Sequence, residues 1–291
     1  MASTTSIRDR SDGPTLLIRH WQPTGDPWAV VLIVHGLAEH SGRYERVGEQ
    51  LAAAGLDVHS FDLRGFGRSA GRRAFVDLFS DYHADVADMM VAARAVAQEK
   101  PVVLFGHSLG GLIVLGYLLG DGPKPDLVVV SAPAVVDDLP GWKRSLAGLL
   151  ARLRPTLELS NGLRGEMLCA DPEVGRRYLA DPDAYHRSTV RLAAAGFHEQ
   201  ARVRAAIGDG AVERLAIPML VYHGEADPIV PVHASEVLGR QPGVTRRTYP
   251  GWRHETHNEP DSTVVGDMIE WLRSQIARRA SAGAGYTIAA N

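Results

Sequence analysis

The chain has 291 residues, 45% of them apolar and 22% charged, an ordinary balance for a globular protein with a sizeable core. A net charge of −3 argues against a nucleic-acid partner, which needs a basic face, and the single cysteine, Cys169, excludes an internal disulfide and a cysteine-built zinc site. Residues 1–13 lack the apolar core of a signal peptide, and no run is long and apolar enough to span a membrane, so a cytoplasmic protein is expected.

In chain order, residues 16–21 and 29–34 read as strands joined through a Pro/Gly-rich turn at 23–27. Residues 44–54 read as a helix and 56–62 as a strand. An amphipathic helix is expected over 81–98, with Val86, Met89, Met90 and Ala93 on one stripe. The all-apolar runs 102–105 and 127–130 suit central strands covered on both faces. From 133 to 215 the pattern changes to prolines, many arginines and leucines at helical spacing (Leu146, Leu149, Leu150, Leu153). This region is read as an inserted helical cap. The sheet pattern then resumes with a strand over 219–222, a helix near 232–238 and a strand over 245–249. A last helix has Pro260 near its start and Val264, Val265, Met268, Ile269, Leu272 and Ile276 along one face. Alternating strands and helices predict an α/β protein with a mostly parallel sheet and helices on both faces. The expected organisation is one discontinuous core, 14–132 and 216–278, with the cap at 133–215 and flexible ends at 1–13 and 279–291.

The chemistry centres on Gly106-His-Ser108-Leu-Gly110, a G-x-S-x-G pattern between an apolar strand and an apolar helix. That context is a nucleophile elbow, with Ser108 on a tight strand-to-helix turn. A serine hydroxyl needs a general base, and on this architecture an acid and then a histidine follow, each after a later strand. Asp227 and His254 fill those places. His254 would take the Ser108 proton and return it to the leaving group, while Asp227 fixes the imidazole tautomer. Glu225 and His257 are the nearby rivals. The backbone N–H of Leu109 is one expected oxyanion donor, and that of Leu37, after the strand ending in His35-Gly36, is the other. His254-Glu-Thr-His257 lacks the His-Glu-x-x-His spacing of a helical zinc site, so no metal is expected. Gly65-Phe-Gly67-Arg-Ser-Ala70 imitates a dinucleotide fingerprint, but no apolar helix follows at once, so it reads as a structural turn.

His35-Gly-Leu-Ala-Glu39-His-Ser-Gly-Arg43-Tyr44 resembles the H-G-x-x-E-H-x-x-R-Y segment of monoacylglycerol lipases. The turn from Asp62 to Gly71, the elbow, Gly224-Glu-Ala-Asp227 and His254-Glu-Thr-His-Asn-Glu259 are similar to that family's other motifs in order and spacing. The resemblance implies an α/β-hydrolase with a lid that cleaves glycerol monoesters through an acyl-enzyme without a cofactor. It also implies a polar group of Glu39, Arg43, Tyr178 and His257 near the glycerol hydroxyls; pairing of Glu39 with Arg43 to hold the loop is the alternative. The family often has Gly where Ala38 stands, and an aromatic or small residue where Arg253 stands. The leucine-rich stretch 146–159 could form an acyl-chain surface with a transient membrane contact, or simply bury against the core. A lysophospholipase, thioesterase, general carboxylesterase or perhydrolase would use the same triad, and a non-catalytic ligand-binding hydrolase fold is the alternative of another class.

Overall fold

A computed structural model describes residues 2–10 and 12–284. The chain begins with β1 (Thr4–Arg8), which pairs antiparallel with β2 (Leu16–Trp21). This corrects the expectation of a flexible start over 1–13. The strand is polar and exposed, so it carries no burial signal; its backbone ladder and the Arg8–Asp88 ion pair hold it. Then come β3 (Ala29–Val34), a short 3₁₀ turn at Ser41–Tyr44, α1 (Glu45–Ala53), β4 (Leu56–Phe61), α2 (Ser80–Ala97), β5 (Val102–His107), α3 (Leu109–Leu118) and β6 (Leu127–Ser131). After β6 the chain leaves the sheet. It builds α4 (Gly141–Leu153), β7 (Glu158–Ser160), α5 (Gly165–Leu168), α6 (Pro172–Ala180), β8 (Arg187–Thr189), α7 (Val190–Gly208) and α8 (Ala211–Leu215). It returns with β9 (Met219–Gly224), α9 (His233–Gly239), β10 (Val244–Tyr249) and α10 (Val264–Ala284).

The main sheet has eight strands in the order β1-β2-β4-β3-β5-β6-β9-β10, parallel from β4 to β10. Alternation along each strand sorts the core into two faces. Val30, Leu32 and Val34 face α2 and α3 with Leu104 and Val130, whereas Val31, Ile33, Phe105 and Tyr222 face α1 and α10. Both faces are covered, which is why these strands read as unbroken apolar runs. β3 first connects outward to β4, and the chain then crosses back to β5 on its other side. The order reverses between β3 and β5, and the loops after these two strands diverge around a crevice at their carboxyl ends.

Two further expectations change. Pro260 does not open the last helix: a 3₁₀ turn at Thr256–Asn258 precedes it, and α10 starts at Val264. That helix also runs past residue 279, and Arg279 pairs with Asp126 at 3.0 Å, so the segment expected to be flexible is helical to Ala284; 285–291 lie outside the described residues. The Gly65–Ala70 segment is a turn wrapped on Asp62, whose carboxylate accepts from the Ser41 hydroxyl and from the Ser41 and Arg68 amides.

Candidate active site

Ser108 joins β5 to α3 with φ 53° and ψ −116°, a conformation that costs about 1–3 kcal/mol and needs support. The support is local. The Ser108 amide donates to the Ser131 carbonyl at the end of β6, and the Ser108 carbonyl accepts from Leu112 and Ala134. A Cβ on Gly110 would stand 2.1 Å from the Val34 carbonyl oxygen, so only glycine lets α3 start this close to β3. Leu109 is the first residue of α3, and its amide belongs to the helix end whose N–H groups have no intrahelical partner. Leu37 follows β3. Both leucines line the same cavity as Ser108 and His254.

Asp227 stands in the turn after β9 with its side chain wholly buried. Its Oδ1 accepts from the amides of Ile229 and Val230 at 2.8 and 3.0 Å. Its Oδ2 lies 2.7 Å from His254 Nδ1 and 3.1 Å from His223 Nε2. Burial disfavours the Asp227 carboxylate, but the two imidazoles more than offset it and hold its pKa well below the usual range. Burial likewise disfavours the His254 imidazolium, and Asp227 outweighs that penalty, so the His254 pKa is raised above 6.5. The rival Glu225 is exposed and accepts from the Thr248 hydroxyl instead. Gly224 brings the two loops together: a Cβ there would meet the carbonyl oxygens of Arg253 and Trp252 at 2.2 and 2.3 Å.

The remaining expected site residues divide. Glu39 and Tyr178 line the cavity; Arg43 and His257 do not, and sit one layer behind its wall. The Arg43 guanidinium makes two 2.7 Å contacts with Glu255, approaches Glu39 at 3.4 Å and covers the Tyr178 ring at 4.7 Å. With its charge matched on both sides, it holds the wall rather than facing the space. Glu39 also accepts from the Tyr44 hydroxyl and the Gly36 amide, which fixes the loop that carries Leu37. Burial raises the Glu39 pKa, whereas Glu255, also opposed by burial, is held lower by Arg43. His257 stacks on Tyr44 and meets His107 edge to face, and burial pulls its pKa down to about 4. It is a neutral packing residue here.

The cavity holds about 610 Å³. Leu146, Leu150, Leu159, Leu163, Leu192 and Phe197 from the inserted segment make most of its wall apolar. Four lining residues, Asp137, Asn161, Tyr178 and Ser188, carry buried side-chain polar atoms with no hydrogen-bond partner in the protein. Sequence reasoning missed His223, Glu255, Asn161 and Ser188. A lone histidine at the end of the apolar run 219–222, four residues before Asp227, was the available signal for His223. Nothing local marks Asn161 or Ser188, which line one cavity because β7 pairs with β8.

A doubly wound sheet with a strained serine at its switch point and an imidazole–carboxylate pair beside the same cavity defines the α/β-hydrolase class. The family model described as serine aminopeptidase, S33 (Hydrolase_4) matches residues 25–261, and the chain belongs to that family. It is 34% identical over 265 residues to a monoacylglycerol lipase of Mycolicibacterium smegmatis, covering 88% of this chain and 92% of that protein. The crystal structure of Paleococcus ferrophilus monoacylglycerol lipase superposes with a TM-score of 0.77 at 31% identity, covering 90% and 99% of the two chains. A soluble variant of Saccharomyces cerevisiae monoglyceride lipase, solved with a substrate analog, shares the fold at a TM-score of 0.84 and 23% identity, covering 94% and 95%.

Proposed function

We propose that the chain is a serine hydrolase that cleaves carboxylic esters of single-chain lipids, foremost monoacylglycerol to glycerol and fatty acid. The observation that carries this is the cavity: a largely apolar space of about 610 Å³ reaches Ser108 and His254, and its few unpartnered polar groups belong to Asp137, Asn161, Tyr178 and Ser188. An acyl chain fits the apolar wall, and glycerol hydroxyls fit the polar groups, which are costly to leave unpaired.

The Ser108 hydroxyl attacks the ester carbonyl while His254 takes its proton through Nε2. Asp227 holds Nδ1–H and stabilises the imidazolium. The amides of Leu37 and Leu109 receive the developing oxyanion. His254 then protonates the leaving glycerol oxygen, and a water activated by the same imidazole releases the fatty acid from Ser108. No step calls for a cofactor. The carboxylates on the cavity wall, Glu39, Asp137 and Glu255, are each paired with an arginine. Glu39 and Glu255 are thus held in the wall, and Asp137 alone keeps one buried carboxylate oxygen, Oδ2, without a hydrogen-bond partner.

The inserted segment also suits a lipid surface. Trp142, Leu149, Leu153 and Leu159 are each more than half exposed, and Lys143, Arg152 and Arg154 lie exposed among them. Apolar anchors flanked by cations are what an anionic membrane face attracts. Among the described residues, no helix is long and apolar enough to cross a membrane.

Turnover on a series of monoacylglycerols beside lysophospholipids, acyl thioesters and short p-nitrophenyl esters tests the reading. The expected result is the highest kcat/KM on monoacylglycerols of medium or long chain. Equal kcat/KM on a methyl ester of the same acid would reject the glycerol assignment. Failure of a fluorophosphonate probe to label Ser108 would reject the enzyme reading altogether.

A further inference from the structure

A second cluster of chemistry-bearing side chains lies on the sheet outside the cavity. The antiparallel pairing of β2 with β4 sets His20 directly opposite His59. Asp57 precedes His59 by two residues on the same strand, so its side chain shares that face. Cross-strand partners of this kind hold their Cβ atoms about 5 Å apart, which brings both rings to one carboxylate. The two imidazoles lie face to face, with centroids 4.3 Å apart and planes within 7° of parallel. His20 Nε2 is 2.6 Å from Asp57 Oδ1, and His59 Nε2 is 3.3 Å from Oδ2. The second contact is too poorly aligned for a hydrogen bond, and His59 Nε2 is left buried without a partner. Asp57 is itself 7% exposed, whereas the His20 side chain is 31% exposed and opens the cluster to solvent.

We propose that His20, Asp57 and His59 form a binding site for a divalent metal of the zinc class, separate from the catalytic centre. The donors are near enough to share one ion once an imidazole turns out of the stack, since parallel rings cannot both aim their in-plane lone pairs at one point. One ligand atom from each residue lies within 4.8 Å of the others, and it is the one such cluster found among the described residues. In a tetrahedral shell, bonds of about 2.0–2.2 Å to imidazole nitrogen and carboxylate oxygen put neighbouring ligand atoms roughly 3.3–3.6 Å apart; the His59 contact at 3.3 Å has that spacing, and the His20 contact at 2.6 Å must open to admit the ion. Two imidazoles and one carboxylate match zinc, nickel or copper better than magnesium or calcium, which prefer all-oxygen sites. The ion takes the place of the Nε2 protons between rings and carboxylate, and water from the open side completes its shell. Bound there, it staples β2 to β4 at the antiparallel end of the sheet. The site has no part in ester cleavage, since none of its residues lines the cavity.

The test is calorimetric titration of EDTA-stripped protein with Zn²⁺, alongside thermal melting, for the wild type and a His20→Asn/His59→Gln double variant. Ester hydrolysis by both proteins checks that the variant folds. The expected result is one equivalent bound by the wild type and a Tm that rises with zinc only in the wild type. In the double variant affinity should fall by at least about tenfold, with hydrolysis unchanged. Zinc binding of equal strength in the double variant overturns the proposal, as does wild-type affinity weaker than about 1 mM. Should the double variant lose hydrolysis, Asp57→Asn replaces it, with the same outcomes deciding.

Discussion

The sheet and α4, the first helix of the segment inserted between β6 and β9, treat their apolar residues in opposite ways. β3, β5, β6 and β9 are buried along their whole length, and every residue of α3 is buried too. In α4 only Ala151 is buried, while Trp142, Leu149 and Leu153 are at least half exposed. A strained serine and a buried carboxylate persist only where the surroundings over-determine them, and the sheet supplies that rigidity. A wall that admits a long acyl chain has no such need. The division teaches that the proposed chemistry is held by the sheet and the choice of ester by the insertion.

Removing the chemistry should leave the sheet intact. Ser108→Ala is expected to lower kcat by about 10⁴-fold or more with Tm almost unchanged, measured by monoacylglycerol turnover and thermal melting. A large fall in Tm would mean that the hydroxyl holds the elbow together. Gly224→Ala probes the rigidity itself. The new Cβ would press on the carbonyls of Trp252 and Arg253 and displace the loop that carries His254. A shift of that size is expected to lower kcat by about 10²-fold. A KM effect alone would show that this loop is softer than the comparison requires.

The next predictions separate the two regions by their readout. His254 must be neutral to accept a proton, and its pKa is raised, so kcat/KM should rise with pH through a midpoint above 6.5. His223 shares Asp227 Oδ2 with His254. His223→Leu leaves more of that negative charge to the imidazolium, so the midpoint should move up. A uniform loss at all pH values would make His223 a packing residue only. Tyr178→Phe tests the insertion in turn. It removes an unpartnered hydroxyl from the cavity wall and should cut the preference for monoacylglycerol over the methyl ester of the same acid by about 3–10-fold. The methyl ester rate itself should hold.

Legibility in the sequence follows the same division. Strands with two covered faces declare themselves as apolar runs, so β3, β5, β6 and β9 were read within a few residues of their ends. The elbow was legible because its glycines answer local constraints: Gly110 has a carbonyl where a side chain would be. Contacts that pairing alone creates left no trace. Asn161 and Ser188 reach the same cavity wall through a three-residue ribbon, and His257 looked like a pocket residue by its nearness to His254, yet its ring packs on Tyr44 and His107 outside the cavity lining. β1 was missed for the same reason, being held by backbone pairing with little buried surface.

The smallest effect concerns a departure from the family pattern. Ala38 stands where monoacylglycerol lipases often have glycine, and it is fully buried with φ 61°. A left-handed alanine costs about 1 kcal/mol relative to glycine, while glycine carries more conformational entropy in the unfolded chain. The first effect acts on the folded state and the second on the unfolded one, so they partly cancel. Ala38→Gly should therefore stabilise the protein by no more than about 1 kcal/mol, read as a small rise in the urea midpoint at unchanged m-value. The loop is already fixed by the Gly36 and Tyr44 contacts to Glu39, so kcat should stay within about twofold. A tenfold fall in kcat with no gain in stability would show that the alanine sets the direction of the Leu37 amide, and that this part of the oxyanion site is held by backbone strain rather than by the Glu39 brace.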